Sequence, residues 1–239
     1  MILAIVIARR ELRQNLVQSL RAYIVMAAFL LLAGSFFFAY LVDTGFDRTS
    51  IAGFVQAAQI LDMLFAAIVT MNLFAEERRS GTHELLLSSP IRDGEIVAGK
   101  FVGCLAIYAV MLGLTLFYPL LLWLFGDPDA GVIATSYVGL LLLGGLCLAV
   151  GVFAASLGRN AISSAVICLT VLLGLYYLGN VSAALPADAA AMVARFSLPA
   201  RFGSFAEGRI DSADVIYHLT LCGTFLFFAA QQVARERLR

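Results

Sequence analysis

One segment of the chain comes within a residue of a phosphate-binding loop. Gly94-Glu95-Ile96-Val97-Ala98-Gly99-Lys100-Phe101 fits GxxxxGK[ST] except at its last position, where Phe101 replaces the hydroxyl residue that would hold magnesium. Glu95 would set a negative charge beside the phosphates, and the segment leads into a long apolar run instead of following a parallel strand. Too little chain is left for the rest of an ATPase. The motif is rejected, and Lys100, the single lysine, is expected to snorkel to lipid headgroups. Other chemistry is scarce. Cys104, Cys147, Cys168 and Cys222 each lie in an apolar run without metal-ligand or redox spacing and read as small buried hydrophobes. His83 and His218 are the only histidines, and no HExxH or GxSxG motif is present. An enzyme inside these runs would need a nucleophile–base pair, but the runs offer one isolated acid, Asp62. No catalytic residue and no metal site are expected.

Asp62 belongs to a polar set. On a helical wheel Gln56, Gln59, Asp62, Ala66 and Thr70 fall on one arc of their apolar segment. A carboxylate in hydrocarbon is costly unless it faces protein or water. Two readings stay open: the arc lines a substrate path or dimer interface, or it makes interhelical hydrogen bonds that fix packing. Gly144, Gly145, Cys147, Ala149, Gly151 and Ala155 form a run of small residues, which reads as a site of close helix packing.

The elements that must position these groups span a membrane. Of the 239 residues, 62% are hydrophobic and 13% charged, and mean hydropathy is +0.93; soluble domains are about half apolar and about a quarter charged. The expected architecture is an all-α integral membrane fold. Six segments, 22–42, 54–75, 101–125, 132–157, 161–181 and 214–233, are long enough to cross a core of about 30 Å at about 1.5 Å per residue. They leave no room for a separate soluble unit, so residues 1–239 read as one domain. Residues 2–8 are apolar but precede Arg9, Arg10 and Arg13, which is the wrong order for a signal peptide. An amphipathic interfacial helix fits better, with Ile5, Leu12 and Leu16 on its apolar side. With both termini inside, 12 of the 16 basic residues lie on the cytoplasmic side and four, Arg48, Arg195, Arg201 and Arg209, outside, a positive-inside bias. Net charge is zero, and nucleic acid is not an expected partner.

Two connections are long. Residues 76–100 make a charged cytoplasmic loop, in which Thr82 can cap a short helix through Glu84, Leu85, Leu86 and Leu87 that Ser88, Ser89 and Pro90 stop. Such a helix either docks a cytoplasmic partner or lies flat on the membrane. Asp93 can cap the helix that follows. Residues 182–213 form an outer segment with two short helices, one opened by Pro186 and ending near Phe196, the other opened by Pro199, carrying Phe202 and Phe205 and broken by Gly208.

The run Glu76-Glu77-Arg78-Arg79-Ser80-Gly81-Thr82, then Glu84-Leu85-Leu86-Leu87, Ser89-Pro90 and Gly99-Lys100-Phe101, resembles ABC-2 type transporter permeases, most closely a gliding-motility-type branch. Ala8-Arg9-Arg10-Glu11-Leu12, Ala22-Tyr23, Ala149-Val150-Gly151, Ala155-Ser156-Leu157, Arg201-Phe202, Phe205, Gly208, Asp211 and Tyr217 extend the resemblance over nearly the whole chain. One departure is Ser19-Leu20-Arg21, where the family often has Ser-Pro before Ala-Tyr. The resemblance implies a coupling helix at 82–89 seated in a cleft of a separate cytoplasmic ABC ATPase, which would hold the ATP and magnesium; no cofactor is expected on this chain. It implies that Glu76, Glu77, Arg78 and Arg79 sit at the inner mouth of the second span. It also implies paired re-entrant outer helices capping the path, with Arg201, Phe202, Phe205 and Gly208 as an outer gate; the other reading of residues 182–213 is an interfacial lid with no substrate role. The implied setting is the bacterial inner membrane, beside a second copy or a related permease and an accessory membrane protein. The implied activity is export of an unnamed substrate; the alternative is a non-transporting subunit that passes ATP-driven motion to an extracytoplasmic partner.

Overall fold

The computed structural model describes residues 20–43, 52–81, 93–125, 128–182 and 186–237. The expected amphipathic helix near the N-terminus and the coupling helix at 82–89 lie outside these residues. Ten helices are present among them: α1 (Leu20–Asp43), α2 (Ala52–Thr70), α3 (Ala75–Arg79), α4 (Asp93–Thr115), α5 (Phe117–Phe125), α6 (Ala130–Leu157), α7 (Ala161–Ser182), α8 (Ala187–Ala194), α9 (Leu198–Ala206) and α10 (Ser212–Arg237). Six stretches are long and apolar enough to cross a membrane: Tyr23–Asp43, Phe54–Arg79, Asp93–Trp123, Ala130–Leu157, Ala161–Val181 and Ser212–Arg237. They correspond to the six expected segments.

The third span departs from expectation twice. It starts at Asp93, a full two turns before residue 101, and it is not one helix. Pro119 has no N–H to give to the carbonyl four residues back, at Thr115, and its ring crowds that carbonyl. The ladder breaks between α4 and α5, with Leu116 bonding back three residues to Gly113. The freed Thr115 carbonyl is taken by the Tyr137 hydroxyl of α6 at 2.9 Å. The second span is also interrupted, by a turn at 71–74 between α2 and α3.

α6 is the axis of the bundle. It packs against α2, α4, α7, α9 and α10. Of its most apolar stretch 78% is buried by protein, against 17% for α7 and α10, which present their apolar surfaces outward. A helix covered on every side needs no polar face, and α6 has no charged residue. Asp129 caps its start, accepting from the N–H groups of Gly131 and Val132. At the start of α7, Asn160 and Ser163 form a reciprocal capping pair. Leu31, Ile162 and Ile216 are among the large side chains left exposed, as lipid-facing positions require.

Candidate functional site

Three polar sites hold the bundle, one at each end and one within. The first gathers around α3. Phe74 is buried in the turn that ends α2, and Lys100, on α4, sits over its ring at 4.9 Å. The Lys100 ammonium donates to the Leu73 carbonyl and to Glu77 Oε1, both at 2.7 Å. The residue is 1% exposed, which corrects the expectation that it snorkels to headgroups. A buried ammonium needs a counter-charge and filled hydrogen bonds, and Glu77 with the Leu73 carbonyl in the turn after α2 supplies both. Residues 94–101 lie within α4, so the near-match to a phosphate loop is helix.

Beside Glu77, Arg78 reaches across the bundle. Its guanidinium donates to the carbonyls of Ser156, at 3.0 Å, and Gly158, and pairs with Glu236 Oε1 at 2.7 Å. The two carbonyls are at the C-terminus of α6, where unfilled acceptors and the helix dipole both favour a cation. Asp93, at the start of α4, forms an ion pair with Arg237 of α10 at 3.1 Å. Of the four charged residues expected at the mouth of the second span, Glu77 and Arg78 are turned into the bundle, whereas Glu76 and Arg79 are exposed. Gly81 has a φ of +70°, a left-handed conformation in which glycine avoids Cβ strain. It turns the chain away from α3 into the connection that carries Thr82, Glu84, Leu85, Leu86, Leu87, Ser89 and Pro90, all outside the described residues.

The second site is inside the membrane. Asp62 Oδ2 lies 2.8 Å from the Tyr108 hydroxyl, which also lies 2.8 Å from the Leu140 carbonyl. Asp62 and Tyr108 are each 1% exposed, so α2, α4 and α6 meet around a sealed polar contact. Tyr108 fits because residue 144 is glycine. A Cβ there would stand 2.2 Å from the tyrosine ring. The expected arc only partly forms. Thr70 is buried against Gly151 and bonds back to the Ala66 carbonyl at 2.7 Å. Gln59 is half-buried and Gln56 is exposed, because the arc drifts around the helix over its first two turns.

The third site closes the opposite end. Phe202 and Phe205 of α9 are buried against Gly139 of α6. Thr135 donates to the Phe205 carbonyl at 2.9 Å. Asp214, in the first turn of α10, accepts from Arg201 at 3.0 Å and from Ser204 at 2.6 Å, tying α9 to α10. Arg201 also stacks over the Tyr217 ring at 5.3 Å. Gly208, at φ +82°, ends α9 in a Schellman turn: Arg209 N–H bonds to the Ser204 carbonyl and Gly208 N–H to the Phe205 carbonyl. Arg201, Phe202, Phe205 and Gly208, the residues expected as an outer gate, thus come together on α9 and the turn that ends it.

Sequence reasoning missed Tyr108, Ser156, Gly158, Asp214 and Glu236. Asp214 and Glu236 had a weak signal as charges at the two ends of an apolar segment. Tyr108 had none, being one aromatic residue among many.

Residues 50–200 match the family described as ABC-2 family transporter protein. The matched region runs from before α2 to the start of α9 and holds the sealed polar contact and most of the Arg78 cluster. The chain belongs to the ABC-2 transporter family. It is an ABC-2 permease, a multi-pass membrane subunit of an ABC transporter. No individual curated protein matches the permease.

Proposed function

We propose that this permease is the membrane half of an ATP-driven exporter and takes its power stroke from a separate cytoplasmic ATPase through the connection between α3 and α4. The observation that carries the reading is how both stems of that connection are anchored. On the incoming side Arg78 holds the ends of α6 and α10, and Glu77 holds α4. On the outgoing side Asp93 holds Arg237. Force applied between residues 82 and 92 would therefore reach α2, α4, α6 and α10 together. A loop that merely rested on lipid would have no need of such anchors.

In this reading the Arg78 end is cytoplasmic and both termini are inside. Arg78, Arg79, Lys100, Arg159, Arg235 and Arg237 gather at that end, against Arg195, Arg201 and Arg209 at the other. ATP and magnesium reside on the ATPase, a second permease copy completes the pore, and the complex sits in a bacterial inner membrane. The gliding-motility-type branch is a finer assignment than the family match. The helix expected at 82–89 carries three leucines on a connection too short to bury them, and each is worth about 1.5–3 kcal/mol when buried. A cleft on the ATPase would cover those that do not face lipid. The test is co-purification of the ATPase with Glu84→Arg and Leu86→Asp variants, followed by hydrolysis assays on the reconstituted complex. Loss or uncoupling of the ATPase with normal membrane insertion is expected; two fully coupled variants would show that the helix does not dock.

A further inference from the structure

The sealed contact around Tyr108 has too many acceptors for its hydrogens. The tyrosine oxygen stands 2.8 Å from a carboxyl oxygen and 2.8 Å from a backbone carbonyl oxygen. Both distances are those of full O–H···O hydrogen bonds. A phenol has one hydrogen. If it were shared between two acceptors, both contacts would lengthen; if it were given to one, the other would be an uncompensated oxygen–oxygen contact. A second hydrogen resolves the geometry, and Asp62 is the only side chain in the contact that can carry it.

We propose that Asp62 holds a proton in this conformation, so that the Asp62 O–H donates to Tyr108, the Tyr108 O–H donates to the Leu140 carbonyl, and the three helices close over a proton-binding site. Two further observations agree. The other carboxyl oxygen, Asp62 Oδ1, is buried with no hydrogen-bond partner. An ionised carboxylate left half unsolvated is far costlier than the carbonyl oxygen of a neutral acid. No cation pairs with Asp62 among the described residues. α6 and α7 carry no charged side chain, and α1 has charges only at its ends, Arg21 and Asp43. The titratable groups around the site are Tyr108 from α4 and Cys147 and Tyr137 from α6, with Cys168 of α7 near Cys147. Lys100, on the same helix as Tyr108, is two turns away and committed to Glu77.

The proton is linked to the closed seam. If it leaves to water, Tyr108 must turn its hydrogen to Asp62, and the Leu140 carbonyl loses its partner on α4. The closed seam therefore binds one more proton than an opened, hydrated one, and acid favours closure while alkali favours opening. The inference does not depend on an ATPase partner, so it stands or falls separately from the export reading.

Infrared spectroscopy of the full-length chain in lipid nanodiscs tests it. The wild type should show a protonated carboxylic C=O band at neutral pH that shifts in D2O and is lost in Asp62→Asn. In Tyr108→Phe the band should persist but move, because the acid loses its acceptor. Asp62→Asn should melt at or above the wild-type midpoint, since the amide can still donate to Tyr108. A wild-type spectrum without an Asp62-dependent acid band would overturn the proposal. If Asp62→Asn does not fold, an acid region unchanged by Tyr108→Phe would overturn it equally.

Discussion

Arg78 is the residue on which transmission from the connection to the bundle should depend most. Arg78→Ala removes two hydrogen bonds to carbonyls at the end of α6 and the pair with Glu236. The pair is partly wet, with side chains 19% and 27% exposed, which caps its own worth at about 0.5–1 kcal/mol. Each carbonyl bond contributes about 1 kcal/mol at this exposure, below the figure for a fully buried charged donor. The total is about 2–3 kcal/mol, a factor of roughly 30 to 150 in the equilibrium that holds α3 against α6. Arg78→Lys keeps the charge but has one donor group for three acceptors, so it should recover about 1 kcal/mol. A cycle with Glu236→Gln should isolate a coupling of about 0.5–1 kcal/mol. The assays are equilibrium unfolding of the purified chain and nucleotide hydrolysis by the complex captured on the tagged permease. Arg78→Ala should still capture the proposed ATPase, because residues 82–89 are untouched, yet its hydrolysis should no longer respond to the permease. Refutation would be an Arg78→Ala stability within about 0.5 kcal/mol of wild type, the scatter of ordinary surface changes, together with normal coupling.

Four further outcomes are expected. Gly144→Ala should cost about 2–4 kcal/mol in unfolding assays by driving Tyr108 from its two partners, whereas Gly145→Ala, whose Cβ would meet only Leu105 at 3.7 Å, should be near neutral. Lys100→Met and Glu77→Leu should each destabilise by about 2–3 kcal/mol, and the double variant by clearly less than their sum, because each single change strands a charge. Asp214→Asn should speed thiol labelling of a Gly203→Cys reporter on a cysteine-free background several-fold, as α9 loosens from α10 while Phe202 and Phe205 keep it docked. A cysteine at position 92 should label from the cytoplasmic side only; labelling from outside would invert the proposed topology.

The number and approximate limits of the spans were legible because each is a long apolar run, and hydrophobicity over about 20 residues is the strongest signal a membrane chain carries. The break in the third span was also legible in principle, since Pro119 lies mid-run. The length of the run masked it, because spans tolerate proline where a neighbour refills the freed carbonyl, as Tyr137 does here. The end of α9 was read correctly from Gly208. Lys100 was misread because sequence alone does not show that Glu77, 23 residues earlier, returns to the same place. The deeper gap is chemical. Tyr108 and Arg78 bind α6 through the backbone carbonyls of Leu140, Ser156 and Gly158. Every residue has a carbonyl, so such an acceptor leaves no mark in the sequence. What did leave a mark is the small residues of α6, Gly144 and Gly151 among them, which let other side chains come close enough to touch.

That way of holding α6 bears on how the bundle can move. Arg78 grips it at residues 156 and 158, and Tyr108 at residue 140. At about 1.5 Å per residue these grips are about 24 Å apart along the axis. With Tyr137 and Thr135 also bonded to α4 and α9 nearer its start, the rod cannot tilt at its Arg78 end until that grip lets go. The grip at Leu140 is sealed from water and far from either surface, and nothing outside the membrane reaches it directly. The grip at Ser156 and Gly158 is partly exposed and lies on the stem of the connection proposed to meet the ATPase. Release should therefore begin at Arg78. Once that end of α6 is free to swing, the strain falls on the contact between Tyr108 and Leu140, where separation of α4 from α6 admits water to Asp62. The expected order follows from which contact is exposed and which is sealed: the Arg78 grip should open first and the proton proposed on Asp62 should leave second.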